Sequence, residues 1–177
     1  MSLIKPVNLR SFRKRVIETK RRFRLFLSRI EKNPPPALGK LTATLEKEVW
    51  TEINCLTCAN CCKTMTPTFT AKDMKRIAAH FGETVEEFKA KWLVKEKGKE
   101  GDWMNKNQPC QFLNLEDNKC SIYEIRPSDC VGFPHLPKRL KDYVHVHKQN
   151  VEYCPATHLL VEKMMDAVKE AKPSVGS

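Results

Sequence analysis

The sequence predicts a mainly α-helical protein with a small β-hairpin, a compact single domain organised around a cysteine-rich metal site, plus a basic N-terminal helix. Three observations support this fold class. Apolar residues recur at helical spacing over residues 8–32 and in several later segments. Two short apolar runs flank Asp117 and Asn118, a pair that favours a tight turn. Eight of the 177 residues are cysteines, and four of them fall within CLTCANCC, residues 55–62.

Composition limits the class of protein before any motif is considered. The hydrophobic content of 41% and the charged content of 30% are typical of a soluble globular chain. No apolar run approaches the roughly 20 residues of a membrane span. The N-terminal stretch MSLIKPVNLRSFRKR lacks the apolar core of a secretory signal. We therefore expect a cytoplasmic protein, and the formal net charge of +11 predicts an acidic partner.

Residues 8–32 predict a basic amphipathic helix, capped by Asn8 and ended by Asn33 and the three prolines that follow. Its apolar stripe can pack on the core while its charges stay solvated. The alternatives are a surface for nucleic acid or an acidic protein, and a helix lying in a membrane interface. No recognisable nucleic-acid-binding motif accompanies it. The expected organisation is a helical extension over residues 1–36 with a proline-rich joint, a cysteine-cluster metal-binding domain over 37–172, and a disordered tail over 173–177.

Later segments predict further elements. A helix is expected over residues 37–53, and a C-terminal helix is expected from Pro155. Two capping boxes, Thr70 with Asp73 and Thr84 with Glu87, predict two short helices with a stop at Gly82 between them. The runs QFLNL and SIYEI predict the strands of the hairpin, a helical turn is expected from Ser128, and the alternation in YVHVH is typical of a strand.

The cysteines are the main candidates for a functional site. In a reducing compartment, clustered cysteines more often bind metal than form disulfides, although a redox dithiol and free buried thiols remain alternatives. The C-x2-C-x2-C spacing of Cys55, Cys58 and Cys61 can deliver three thiolates to a cubane iron–sulfur cluster. Structural zinc more often uses two separated C-x2-C pairs. The spacing therefore favours an iron–sulfur cluster such as [4Fe–4S] over zinc, in one site or in two sites of four sulfurs. The predicted metal ligands are Cys55, Cys58, Cys61, Cys62, Cys110, Cys120, Cys130 and Cys154.

Residues other than cysteine are weaker candidates for the functional site. Arg126 can donate hydrogen bonds to the sulfurs of a bound cofactor or offset their charge, and its alternative is an ion pair with Glu124 or Asp129. Cys154 stands at a predicted helix N-terminus, which is expected to lower its pKa. The remaining candidates can ligate zinc but are expected to be ordinary surface or core histidines; they are His135, His145, His147 and His158. No catalytic constellation stands out, so any catalytic residue is unknown.

Three segments together resemble the CxxCxxCC cysteine-cluster family, the YkgJ-type zinc- or iron-chelating proteins. They are CLTCANCC, FTAKDMKRIAAHFGETVEEF and CQFLNLEDNKCSIYEIRPSDCVGFP, and they cover roughly residues 50 to 155. The resemblance implies metal chelation by all eight cysteines, and Val131 is one departure from the family pattern. The family is similar to the cysteine-bearing part of flagellin lysine methylases, which implies radical or methyl-transfer chemistry for some members. This chain shows no further domain for a large substrate, so that activity is not carried over.

Three functions follow as hypotheses. The first is a metal-binding protein, holding an iron–sulfur cluster or zinc, with an accessory, electron-transfer or metal-chelating role and a redox partner. The second is a zinc-structured interaction module that uses the basic helix to bind nucleic acid or an acidic partner. The third is a metal-dependent enzyme of unknown reaction.

Overall fold

The computed structural model describes residues 6–98, 101–136 and 140–170. It is mainly helical with one small antiparallel sheet, which confirms the predicted fold class. The chain divides into two compact units. The terminal unit comprises Met1–Cys58 and Pro134–Ser177, and the central unit comprises Ala59–Phe133. The domain limits expected from the sequence stay a prediction, and the tail over 173–177 lies outside the described residues.

The terminal unit is built from helices packed around a shared apolar core. Helices α1 and α2 both pack on α9, and α1 also packs on α8. The N-cap predicted for α1 is confirmed, because the Asn8 side chain accepts a hydrogen bond from the Ser11 N–H at 3.0 Å. The helices of this unit span Leu9–Lys32 (α1), Leu38–Glu52 (α2), Cys55–Cys58 (α3), Leu140–Asn150 (α8) and Pro155–Glu170 (α9).

Helix α8 corrects one expectation. The residues YVHVH lie within this helix, so the predicted strand is wrong. Five alternating residues fit a period of two, but Val144 and His147 are three apart, and both are fully buried. That spacing places them on one helical face toward the core. A stretch this short carries too little pattern to separate the two periods.

The central unit holds two capped helices, a small sheet and two short helices. Both capping boxes are confirmed, at Thr70 with Asp73 and at Thr84 with Glu87. The stop between them is also confirmed, because Gly82 adopts a φ of +68° as the C-cap. The helices of this unit span Asn60–Thr64 (α4), Ala71–Phe81 (α5), Val85–Trp92 (α6) and Ser128–Gly132 (α7).

The sheet has three strands in the antiparallel order β1-β3-β2. They span Thr68–Phe69 (β1), Leu93–Lys95 (β2) and Trp103–Asn105 (β3). The middle strand pairs Trp103 with Phe69 on one side and Asn105 with Leu93 on the other. This sheet was not predicted from the sequence. It matters for the site because it places Asn105 inside the unit, with only 5% of its surface exposed.

The predicted hairpin is reduced to its turn. Leu113 and Cys120 form a single antiparallel bridge, and the Asn114 N–H donates to the Lys119 carbonyl at 2.8 Å. Asn118 takes the positive φ expected of it, +60°. The run SIYEI is not a strand, because Tyr123–Ile125 forms a 3-10 turn. The turn forms because its cause is local, in Asn118, whereas a two-stranded hairpin is only marginally stable without further strands to pair with it.

Candidate metal centre

The central unit brings four of its cysteines into one neighbourhood, beginning with three that the main chain ties together. The Cys110 N–H donates to the Cys62 carbonyl at 2.8 Å, which joins the loop before the hairpin turn to α4. The Leu113 N–H donates to the Cys110 carbonyl at 3.0 Å, and Leu113 is the bridge partner of Cys120. Cys110 and Cys120 also pack against the apolar cluster of this unit. Backbone hydrogen bonds therefore hold Cys62, Cys110 and Cys120 as neighbours.

The fourth cysteine, Cys130, lies on α7, which is anchored at its first two residues. Ser128 donates to Asp73 Oδ1 through its N–H (3.1 Å) and its hydroxyl (2.9 Å). The Thr68 N–H donates to Asp129 Oδ2 at 3.1 Å, which connects the helix to β1. Burial is the largest effect that raises the pKa of Cys130, and the charges of Cys62, Cys110 and Cys120 raise it further, so these thiols interact electrostatically with Cys130.

Asp73 is the fixed point of this anchor. Burial alone raises the pKa of Asp73, but hydrogen bonds from Thr70, Ser128 and Arg76 outweigh it and lower the pKa to about 2. Arg76 Nη2 lies 2.8 Å from Asp73 Oδ1 and donates to the Arg126 carbonyl at 2.9 Å. The ionised carboxylate thus connects α5 to the segment that begins α7.

The pKa values of the four thiols show that a cation between them would stabilise their thiolate forms. Burial raises the pKa of Cys110, Cys120 and Cys130, and the negative charge of neighbouring thiolates raises each further. Cys62 differs, because a hydrogen bond from the Cys61 thiol outweighs burial and lowers its pKa to about 7. The Cys61 and Cys62 sulfurs are 3.9 Å apart. One thiolate can form readily near neutral pH, but four together require a positive charge between them, which a soft metal ion supplies.

The terminal unit holds three further cysteines. Cys58, at the end of α3, and Cys154, just before α9, are buried, whereas Cys55 is exposed. The pKa of Cys154 is raised, so the expectation of a lowered value is wrong. Burial is the largest cause and outweighs the backbone N–H groups of Ala156 and Thr157 at the helix start, and the charge of Cys58 raises the pKa further.

Within the described residues, Arg126 forms no ion pair with Glu124 or Asp129, the two partners that the sequence offered. Its guanidinium lies over the Tyr123 ring, 3.9 Å from the centroid, and Nη1 donates to the Tyr123 carbonyl at 2.5 Å. Burial raises the pKa of Cys120, and the Arg126 charge is one of the effects that oppose this rise. The charge of Arg126 therefore acts on Cys120 and can offset the charge of its thiolate.

The histidines lie in different surroundings. His158 is a core residue: its Nδ1 is 3.1 Å from the Val151 carbonyl, and its ring packs on Phe12 and Phe23. His147 is buried, His145 is exposed and His135 is partly buried.

Within the three described stretches of the chain, no three His, Cys, Asp or Glu side chains are already arranged to hold a metal ion. The grouping of Cys62, Cys110, Cys120 and Cys130 therefore rests on the backbone hydrogen bonds that place them and on the charge effects among their thiols.

Sequence reasoning missed Asn105. Its Nδ2 lies 3.1 Å from the Cys110 sulfur. The residue lies between Met104 and Lys106 in MNKNQPC, where the sequence gives no sign that an amide faces a thiol. Only the pairing of β3 inside the sheet brings it there.

Comparison with known proteins assigns the chain to a protein family. The model of the CxxCxxCC family, described as "putative zinc- or iron-chelating domain", matches residues 54–156, more than half of the chain. The chain therefore belongs to the CxxCxxCC family of cysteine-cluster proteins. That matched range includes all eight cysteines.

A curated relative adds no function. The uncharacterized protein MJ0661 of Methanocaldococcus jannaschii is 31% identical over 77 residues, which are 44% of this chain and 41% of that protein. The chain thus spans about two fifths of the length of this relative. No solved structure matches the chain. Among the described helices, none combines the length and apolar character needed to cross a membrane.

Proposed function

We propose that this chain is a cytoplasmic metal-binding protein in which Cys62, Cys110, Cys120 and Cys130 hold an iron–sulfur cluster or a zinc ion. The observation that carries the proposal is the grouping of these four cysteines within one unit. A cluster supplies one-electron transfer when bound, whereas zinc supplies a closed structural centre. The role that fits such a site is an accessory, electron-transfer or metal-chelating one. An accessory or electron-transfer role implies a redox partner.

The donor set fits such a group on chemical grounds. Four thiolates with Zn²⁺ or a [4Fe–4S]²⁺ core carry a net charge of about −2. Arg126 and the N–H donors around the sulfurs offset that charge, so we include Arg126 as a residue that supports the cofactor. Cys55, Cys58, Cys61 and Cys154 stay predicted metal ligands, and their assignment to a particular ion is left to the metal counts below.

Metal counts on cysteine variants test this proposal. The wild-type chain, purified without oxygen, is expected to contain zinc, or iron with matching sulfide. Replacing Cys62 or Cys120 by serine should remove the same equivalent of metal, because each change opens the same four-sulfur site. The variant carrying both changes should lose no more than either alone.

The matched control is Cys61→Ser, the same substitution beside Cys62. If Cys61 belongs to a different ion, the variant with both Cys61→Ser and Cys62→Ser loses more metal than Cys62→Ser alone. Full metal content in Cys62→Ser and in Cys120→Ser would contradict the four-cysteine site.

The outer face of α1 favours a second function, binding of an acidic protein segment. Arg15 and Arg24 pair with Glu162 and Glu152, at 3.7 Å and 3.2 Å. Ile17 is 76% exposed amid this positive surface and would give an acidic protein, but not a phosphate backbone, an apolar contact. Further cations on this helix are exposed and form no ion pair within the described residues; Arg10, Arg13, Lys14 and Arg21 are among them.

A salt titration checks this second function. We expect a labelled polyglutamate peptide to bind the wild-type protein and to weaken steeply between about 50 and 200 mM salt. Replacing Arg10, Arg13 and Arg21 by glutamine should remove most of the binding. Replacing Lys72, Lys75 and Lys106, three exposed cations of the central unit, removes the same charge and should have a smaller effect. Tighter binding of a single-stranded oligonucleotide than of the peptide would instead point to nucleic acid.

A further inference from the structure

Asn105 faces the sulfur of Cys110 from a buried position. The side-chain Nδ2 is 3.1 Å from Cys110 Sγ, and the residue is 5% exposed. The strand fixes its backbone, because the Asn105 N–H donates to Thr66 Oγ1 at 3.0 Å and Asn105 pairs with Leu93 of β2. A buried amide must satisfy both its donor and its acceptor atoms, so the wrong orientation would cost the free energy of unmade hydrogen bonds.

The orientation of this amide follows from a chain of hydrogen bonds that ends on main-chain groups. Gln111 Nε2 lies 2.8 Å from the Trp92 carbonyl, which can only accept. At the other end of the same amide, Gln111 Oε1 is 3.4 Å from the Asn107 N–H, which can only donate. The Gln111 amide therefore has one allowed orientation, with its NH₂ group toward the carbonyl.

This orientation determines the next one. Gln111 Nε2 also lies 3.1 Å from Asn105 Oδ1, so this oxygen is the acceptor and the Asn105 NH₂ group is left to face Cys110. An N–H donor directed at a sulfur stabilises the thiolate, which only accepts, more than the thiol. Amide and sulfur are thus arranged for the metal-binding form of Cys110.

We propose that Asn105 is a positioning residue of the metal site: its amide donates to the Cys110 thiolate, and Gln111 holds the amide in the donating orientation. The proposal rests on the proposed function, because it takes Cys110 to be a metal ligand. Hydrogen bonds to metal-bound sulfur orient the ligand and tune its electron donation to the metal.

Cobalt substitution tests the proposal with two readouts. Co²⁺ bound to thiolates gives a sulfur-to-cobalt charge-transfer band, and competition with a chelator gives its affinity. Asn105→Leu keeps the volume but removes the donor, so we expect about ten- to a hundredfold weaker Co²⁺ binding. The band should move to longer wavelength, because the sulfur lone pair loses its stabilising hydrogen bond. A merely structural role of Asn105 would not move the band.

Two further variants complete the design. Gln111→Met leaves Asn105 in place but frees its amide to rotate, and it should shift the band in the same direction by a smaller amount. This variant also decides the question if Asn105→Leu does not fold. Asn107→Leu is the matched control: it changes an exposed side chain two residues away and keeps the backbone N–H that donates to Gln111, so it should leave band and affinity at wild-type values.

The outcomes separate the two proposals. Wild-type band and affinity in both Asn105→Leu and Gln111→Met would overturn the role of Asn105, while Cys110→Ser still loses the band. If Cys110→Ser keeps the wild-type band, or wild type binds no Co²⁺, the four-cysteine site itself fails and the role of Asn105 fails with it.

Discussion

At the scale of single residues, His147 is a buried histidine, 1% exposed, whose two ring nitrogens lack hydrogen-bond partners within the described residues. Burial is the largest of the effects that lower its pKa to about 4, and the charges of His135 and His145 act in the same direction. The neutral ring is therefore the form that the fold accepts.

The lowered pKa of His147 predicts a loss of stability in acid. An unfolded histidine takes up its proton near pH 6.5, whereas His147 in the folded protein does so near pH 4. Between these values the unfolded state binds more protons, so the free energy of unfolding falls as the pH falls, by about 3 kcal/mol in total. Denaturant unfolding of wild type and His147→Leu at several pH values in this window measures it.

The His147→Leu variant should have a flatter pH profile and should also be more stable at pH 7, because it removes two unpartnered polar atoms. His80→Gln, at an exposed position, serves as the control and should keep the wild-type slope. The same slope in His147→Leu as in wild type would show that other groups cause the acid sensitivity.

At the scale of elements, what the sequence predicted correctly was local. The capping boxes of α5 and α6 and the stop at Gly82 each depend on residues within four positions of one another. The sheet depends on pairing Phe69 with Trp103, far apart in the chain, through strands of two or three residues. Strands this short show no period of two, so no pattern in the sequence could have revealed them.

The same contrast applies to Asp73. Its capping role was predicted from Thr70 three residues earlier, and the structure confirms it. Its second role, accepting hydrogen bonds from Ser128 at the start of α7, joins positions 55 residues apart. The sequence could therefore identify the helix that Asp73 caps, but not the anchor that holds the Cys130 helix in place.

At the scale of the whole molecule, the sequence identified every candidate cysteine but not their grouping. The conspicuous C-x2-C-x2-C run suggested that Cys55, Cys58 and Cys61 act together. The structure places the last cysteine of that cluster, Cys62, beside cysteines that lie far along the chain, and the joint role of Cys55, Cys58 and Cys61 stays a prediction. Ten-residue spacings such as that from Cys120 to Cys130 carry no periodic signal, and only the anchored α7 and the hairpin turn make them neighbours.

The central unit should depend on its metal for stability. Its apolar cluster is small, centred on Ile77 and Phe88, and a small core gains much from a structural metal. Hydrogen exchange of the metal-loaded wild type and of Cys120→Ser can measure this unit by unit. We expect amides of α5 and β3 to exchange at least about tenfold faster in the variant, a loss of about 1.4 kcal/mol or more. Amides of α9, in the terminal unit, should change less.

In metal-free buffer the two proteins should exchange alike, because serine and an unligated cysteine then fill the same place. Equal exchange in the metal-loaded pair would mean that the central unit folds without help from Cys120, and the stabilising role of the metal would be lost.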